Sequence, residues 1–406
     1  MFTWYSELSG RERKTLWACF SGWALDGMDV QIYSFLIPTL TLLWGMSRTE
    51  AGLLATSALL VSALGGWIAG MLADHIGRVR TLQITVAWFA VFTALSGFTN
   101  SFEELLVVRA LQGLGFGGEW AAGSVLIGEV IRARHRGKAV GLVQSGWAPG
   151  WAVAALVSSL VLATLPPDIA WRVVFFFGIT PAALVFFLRR HIPEPDIFVR
   201  SREAGHGRVL EIFSPALLRT TVLASLLSAG AQGGYYAITT WLPTFLRDER
   251  GLTIFGSTGY LVVIIAGSFA GYLVSAYLTD AIGRRRNFLL FAAGSFVIVA
   301  LYTRIAVSDS LMLALGFPLG FFASGIFSGM GPFFTELFPT RVRATGQGFS
   351  YNFGRGLGAV VPTLVGLLAM TMPLGQAIGV FALLSYGLLV AAALLLPETR
   401  GKELAS

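Results

Sequence analysis

Charge is scarce in this chain. Asp, Glu, Lys and Arg together make up 13% of its 406 residues, about half of the ~25% usual for soluble domains, while 55% are hydrophobic. Such a composition cannot cover a water-facing surface. Cysteine is nearly absent: Cys19 stands alone, so neither an intramolecular disulfide nor a cysteine-based metal cluster can form. The opening Met1-Phe-Thr-Trp-Tyr lacks a short apolar stretch followed by a small-residue cleavage site, and no removable leader is expected. No metal cluster, nucleophile motif or phosphate loop stands out, so an enzyme is not expected, nor a metal or cofactor.

What the chain does have is helix-long apolar runs separated by short basic loops. A bilayer span needs ~20 mostly apolar residues, and the runs fall at 16–44, 50–73, 81–99, 104–129, 138–164, 170–189, 216–246, 257–279, 287–306, 310–338, 344–370 and 374–396. They predict an all-α membrane protein with twelve transmembrane helices in two six-helix halves. The longest polar stretch, 191–215, carries Pro193, Pro195, two glycines and mixed charges. It reads as a linker between an N-terminal half, 1–190, and a C-terminal half, 216–406.

Of the 29 Lys and Arg residues, 22 fall on the side of the N-terminus, the even-to-odd loops and the C-terminus, and 5 on the other. The positive-inside bias then places both termini in the cytoplasm, under a bacterial-type inner membrane. It also accounts for the pI of 9.8 without a nucleic-acid partner, because the arginines are spread over several loops and form no single patch.

Internal repetition is the next signal. Asp74-His-Ile-Gly-Arg-Val-Arg80 recurs as Asp280-Ala-Ile-Gly-Arg-Arg-Arg286 at an offset of 206. Glu129 with Arg136 matches Glu336 with Arg343 at 207, and Pro193-Glu194 matches Pro397-Glu398 at 204. Two copies of six helices in the same direction imply halves related by an axis along the membrane normal, with a site near the midplane between them.

The stretch Gly70-Met-Leu-Ala-Asp74-His-Ile-Gly77-Arg78-Val-Arg80 resembles the signature loop of major facilitator transporters. Leu25-Asp-Gly-Met-Asp29, Arg109-Ala-Leu-Gln-Gly-Leu-Gly-Phe-Gly-Gly-Glu119-Trp and Trp171-Arg-Val-Val-Phe-Phe-Phe-Gly-Ile together look like the sialate and aromatic-acid proton symporters. The closing Pro397-Glu-Thr-Arg-Gly-Lys is also similar to sugar porters. The resemblance implies that Asp74 and Asp280 close the cytoplasmic side against a helix N-terminus and basic partners, with Arg78, Arg136, Arg284 and Arg343 as candidates. A carboxylate is favoured beside the positive end of a helix and beside a guanidinium. Orientation by positive charge alone is the other reading of those arginines.

Ionisable residues inside a span cost at least ~2.5 to 3.5 kcal/mol each on insertion scales, so they mark function. By these spans they are Asp26, Asp29, Arg109, Glu119 and Arg355. Asp26 and Asp29 are three residues apart and share a helix face. Two carboxylates so placed in a dry cavity need not both ionise, which suits proton coupling; alternatively one caps a helix break or pairs with an arginine. Glu119 follows the glycine-rich Gly113–Gly118 run, and reads as a second protonation site, a counter-ion for a cavity arginine, or a helix-contact pair. Arg109 lies near the outer end of its helix, where coupling competes with snorkelling to the interface. Arg355, at mid-membrane depth among glycines, offers a planar fork for a carboxylate, against the alternative of a permanent internal salt bridge. Asn352 shares its face, while Gln232, Tyr235 and Tyr236 in helix 7 and Gln144 and Trp147 in helix 5 are further candidates to orient a substrate.

The expectation is a monomeric proton-coupled symporter for a small organic anion, a monocarboxylate, aromatic acid or sialic-acid-like sugar acid, with the proton as its coupling ion. The alternatives are a sugar or polyol porter, a proton-coupled efflux antiporter and, from another class, a membrane sensor that does not transport.

Overall fold

The computed structural model describes residues 3–132, 135–179, 192–194, 209–252, 254–304, 308–339 and 342–400. In the first half, α1 (Gly10–Trp44), α2 (Arg48–Ile76), α3 (Arg78–Ser96) and α4 (Phe102–Val130) are followed by a broken α5a (Arg136–Ser145) and α5b (Trp147–Thr164), and by α6 (Pro167–Phe177). The second half has α7 (Leu218–Asp248), α8 (Ile254–Ile282), α9 (Arg284–Arg304), α10 (Asp309–Leu337), α11a (Arg343–Gly358), α11b (Val361–Leu368) and α12 (Leu374–Leu395). This is the two-times-six arrangement expected from the apolar runs. Among the described residues, seven helices are long and apolar enough to cross a membrane by length and composition alone.

Several helices start earlier than their apolar runs. Hydropathy marks where a helix enters hydrocarbon, whereas a helix ends where its terminal N–H groups find acceptors. At α1, Ser9 accepts from the Glu12 N–H and Glu12 accepts from the Ser9 N–H at 2.8 Å; Ser47 and Glu50 do the same at α2. Two expected continuous spans, 138–164 and 344–370, are broken, the first at Gly146 and the second at Ala359 and Val360. Proline explains both, since it has no N–H to give the carbonyl four residues back. Pro149 leaves the carbonyl of Ser145, the last residue of α5a, without that donor, and Pro362 does so for Gly358, the last of α11a. Within the expected linker, Val209–Phe213 forms a 3-10 turn, and 195–208 lies outside the described residues.

Glycine sets how closely the helices approach. In α4, Gly113 and Gly117 lie against the backbone of α2 at the carbonyls of Ala58 and Ser62, while Gly115 and Gly118 press on α3 at Thr85 and Phe89. The second half repeats the device, with Gly320 of α10 against the Ile264 carbonyl and Gly267 and Gly271 of α8 against the backbone of Phe317 and Phe321. On the opposite side of α2, Leu60, Leu64 and Ile68 recur every fourth residue and are exposed, as suits a face turned to lipid.

The halves meet at both ends of the molecule. At the face distant from the arginine-rich loops, Arg48 donates to the Ala369 carbonyl at 3.1 Å and Thr363 to Thr56 at 2.7 Å. Nearer the arginine-rich face, Gly141 of α5a abuts Ala276 of α8, and Trp67 of α2 stacks on Phe349 of α11a at 5.2 Å. A space enclosed between these contacts holds the polar groups described next.

Gly117→Leu tests the packing account. A side chain there meets the α2 backbone and not a movable side chain, so the substitution is expected to destabilise by at least about 1 to 3 kcal/mol, the usual range for overpacking. Gly70→Ala, where nothing lies within 4 Å, should be close to neutral. Thermal melts of the two purified variants against wild type check the contrast.

Candidate functional site

Near mid-membrane, a cavity of about 310 Å³ is lined by Trp23, Gln144, Trp147, Gln232, Tyr235, Tyr236, Tyr272, Phe327, Tyr351 and Arg355. Six of the sequence candidates therefore meet: Gln144 and Trp147 from α5, Gln232, Tyr235 and Tyr236 from α7, and Arg355 from α11a. Arg355 is 1% exposed. Its Nε donates to Gln232 Oε1 at 3.2 Å, and Tyr236 donates to the same oxygen at 3.2 Å. Gln232 is held in turn, its Nε2 donating to Ser228 Oγ at 2.8 Å and to the Tyr351 carbonyl at 3.1 Å. The guanidinium lies over two rings, 4.8 Å from Phe116 and 5.0 Å from Tyr351, and its Nη1 makes no hydrogen bond to a described residue. Among the described residues no salt bridge to it is seen, and the field of Asp26 reaches it. An arginine kept in place by an amide and two ring faces retains N–H donors for an anion.

Asn352, expected beside Arg355, is placed elsewhere. Its amide donates to the Gly348 carbonyl at 3.0 Å and its Oδ1 lies against Gly66 of α2, so it packs between the halves and lines neither cavity. Helical spacing gave the correct side of α11a, but it could not tell that α2 fills that side.

A second cavity, of about 510 Å³, lies toward the far face and includes Asp29, Gln31, Tyr33, Arg109, Gln112 and Phe116, sharing Trp147, Tyr235 and Tyr236 with the first. Asp29 accepts from Thr93 at 2.8 Å and from Gln112, whose Nε2 also donates to Thr93. Asp29 is turned to α3 and α4, and Asp26 lies in the field of Arg355 from the other half. Arg109 is 3% exposed, with its guanidinium 4.6 Å from the Tyr33 ring centroid. It points into the protein, which removes the snorkelling reading. Glu119 is also buried, at 2% exposure on α4, and beside it Trp120 packs on Trp23 at 4.7 Å.

Sequence reasoning missed the aromatic wall of Trp23, Phe116, Tyr272, Phe327 and Tyr351, and the Asp29 partners Thr93 and Gln112. Gln112 could have been found, because it follows Arg109 by three residues on one helix face. Thr93 gave no signal.

Comparison with known proteins gives concordant results. A family model described as Major Facilitator Superfamily matches residues 19–275, and one described as Sugar (and other) transporter matches residues 196–406. A protein of Cupriavidus pinatubonensis named "Probable 4-methylmuconolactone transporter" is 47% identical over 404 residues, covering 99% of this chain and 94% of that one. The cis,cis-muconate transport protein of Acinetobacter baylyi is 29% identical over 354 residues, covering 85% and 84%. Among solved structures, the proton:xylose symporter XylE superposes with a TM-score of 0.79 over 98% of each chain at 18% identity, a likeness of fold alone.

The side chains of Asp74, Asp280, Arg136 and Arg343 lie outside the described residues. Among the described residues, glutamates sit at the helix N-termini of the arginine-rich face: Glu194 accepts from the N–H groups of Arg78, Val79 and Arg80 at 2.8, 3.0 and 3.2 Å, and Glu398 from those of Arg284 and Arg285 at 2.9 and 3.1 Å. Gly77 and Gly283, with φ of 111° and 100°, turn the chain just before each capped helix, a conformation that favours glycine. Arg78 donates to the Ala73 carbonyl at 2.8 Å, and Arg284 pairs with Glu336 of its own half at 2.7 Å. Pro193-Glu194 and Pro397-Glu398 were visible as repeats, but their partners lie over a hundred residues away.

Burial alone would raise the Glu398 carboxyl, but N–H groups of Arg284, Arg400, Arg285 and Thr399 outweigh it and hold the group below its ordinary value of 4.5. A lowered value means the cap contributes fully above pH 4.5 and is lost as pH falls through the lowered value. Glu398→Gln is therefore expected to cost about 1 kcal/mol at neutral pH, the typical worth of a helix cap. The gap in melting temperature between variant and wild type should close on acidification below 4.5. A gap that persists unchanged in acid would rule out the carboxylate cap as its source.

Proposed function

This chain belongs to the major facilitator superfamily, and we propose that it is a proton-coupled symporter that takes up a small organic anion by alternating access. The observation that carries this reading is Arg355: a buried guanidinium, bonded to a neutral amide, with a donor left over inside an aromatic-lined cavity between the halves. A substrate carboxylate would complete its hydrogen bonding, and the surrounding rings suit a compact unsaturated or aromatic acid. The names of the muconolactone and muconate relatives support a small organic acid as cargo. We assign the proton to the acids of the first half, Asp26, Asp29 and Glu119, with Arg109 as the cation that answers Asp29. In this reading Arg78, Arg284 and the signature-loop residues Asp74, Asp280, Arg136 and Arg343 secure the cytoplasmic face. The protein works as a monomer in a bacterial-type inner membrane, with both termini cytoplasmic.

A sugar porter is the second reading, favoured by the match of the C-terminal half to the sugar transporter model and by the Glu398 cap in Pro397-Glu-Thr. Binding of neutral sugars with no binding of carboxylates would select it.

Two sets of variants test the proposal. Asp29→Asn and Asp26→Asn should abolish uphill, proton-driven uptake of cis,cis-muconate or 4-methylmuconolactone into proteoliposomes while leaving exchange measurable, because an amide cannot cycle the proton. PH-dependent accumulation by both would sink the coupling role. Arg355→Lys should weaken equilibrium binding by losing the fork, and Arg355→Gln more so, up to roughly 3 to 5 kcal/mol for a buried charge left alone. A neutral amide analogue of the acid should be indifferent to both substitutions. Equal binding of the charged acid to all three proteins would make Arg355 structural.

A further inference from the structure

The cavity toward the far face holds buried donors that the hydrogen bonds of Asp29 do not use. Arg109 is 3% exposed and Gln31 is 2% exposed. Arg109 Nε and Nη1 and Gln31 Nε2 make no hydrogen bond to a described residue, and both side chains line this cavity. Asp29, the acid whose field reaches Arg109, gives its oxygens to Thr93 and Gln112. Three buried donors without a described partner thus sit on two side chains, from two helices, that line one cavity. Leaving such groups unsatisfied costs free energy that an acceptor would recover.

The relation to Arg355 gives the arrangement direction. Arg109 and Phe116 are seven residues apart on α4, on the order of 10 Å along the helix, and the Arg355 guanidinium lies 4.8 Å from the Phe116 ring. Two cations are therefore stepped along the axis between the faces, and the two cavities share Trp147, Tyr235 and Tyr236 as common wall.

Building on the anion-transport reading, we infer that the far-face cavity is a second carboxylate-binding station, in which Arg109 and Gln31 hold an anion separately from Arg355. An acid reaching the far side is held first by Arg109, with the Gln31 amide on the same carboxylate, and passes the shared aromatic wall to Arg355. The chain then binds two monoanions at once, each with its own cation. Asp29 remains occupied by Thr93 and Gln112, so the incoming carboxylate competes with it for field and not for hydrogen bonds.

Equilibrium binding of radiolabelled 4-methylmuconolactone, a monocarboxylate, to the purified full-length protein tests this. Wild type should bind two equivalents per chain in two resolved steps. Arg355→Gln should remove one step and Arg109→Gln the other. Gln31→Leu, close in size and the milder change, should weaken only the Arg109 step, by about tenfold for one charge-assisted hydrogen bond. The step that survives in Arg109→Gln also reports that this variant is folded; if it does not fold, Gln31→Leu decides. A single equivalent that is lost in Arg355→Gln and unmoved by Gln31→Leu and Arg109→Gln would overturn the second station and leave the transport reading standing. A single equivalent lost in both arginine variants would also overturn it, as one shared site. No binding of this acid to wild type would overturn the parent reading and this one together.

Discussion

Hydrocarbon offers no hydrogen bonds, and everything else in this molecule follows from that deficit. Backbone groups are satisfied within helices, so the chain is helical wherever it crosses. Side-chain polar groups must turn inward, so Asp26, Asp29, Arg109, Glu119 and Arg355 are all at most 3% exposed, while leucines and isoleucines cover the lipid side. Because apolar contact with lipid is as good as apolar contact with protein, helices gain by approaching closely, which the glycines of α4, α8 and α10 permit. A polar interior and a tight glycine scaffold are two consequences of one solvent.

The same solution occurs twice, and the places where the two copies differ mark the chemistry. Pro38 in α1 and Pro243 in α7, Gly77 and Gly283, and Glu194 and Glu398 occupy matching positions and do matching structural work. The intramembrane acids, by contrast, belong to α1 and α4 only, and the fixed cation Arg355 with its amide Gln232 belongs to the second half only. Features shared by both halves hold the fold. Features confined to one half differ in charge: the first half carries the acids together with Arg109, and the second the buried Arg355 held by an amide.

How much of this was legible depended on the range of the interaction. Spans, repeats and the buried charges are local or periodic properties, and they were readable from hydropathy and spacing. The breaks in α5 and α11 were also encoded locally, in Pro149 and Pro362, but an apolar run hides them because proline is no obstacle to hydropathy. The Glu194 cap was not readable, since its donors lie at 78 to 80 and nothing in the sequence couples positions so far apart. Asn352 shows the limit of helical periodicity: spacing fixes which way a side chain points, and the neighbouring helix decides whether a cavity or Gly66 awaits it. The aromatic lining escaped for a related reason, because tryptophan and tyrosine in a membrane helix are as consistent with packing as with a binding wall.

The distribution of strong contacts bears on how such a molecule would open. Among the described residues, three charge-assisted contacts at the arginine-rich face lie inside a half: Glu194 on α3, Glu398 on α9, and Arg284 with Glu336. Between halves, the far face is held by a guanidinium on one carbonyl, a pair of threonine hydroxyls, and Gly52 and Gly366 against the opposing backbone. The inner face is held by Gly141 against Ala276 and by the stack of Trp67 on Phe349. The threonine pair is worth only about 0.5 to 1.5 kcal/mol, and the charge-assisted bond between halves from Arg48 about 1.5 to 3 kcal/mol. Capped and ion-paired helices resist deformation, so a relative displacement costs least along the surface between the halves. That surface contains both cavities, and an anion satisfying Arg355 from the middle of it would act where the restraint is weakest.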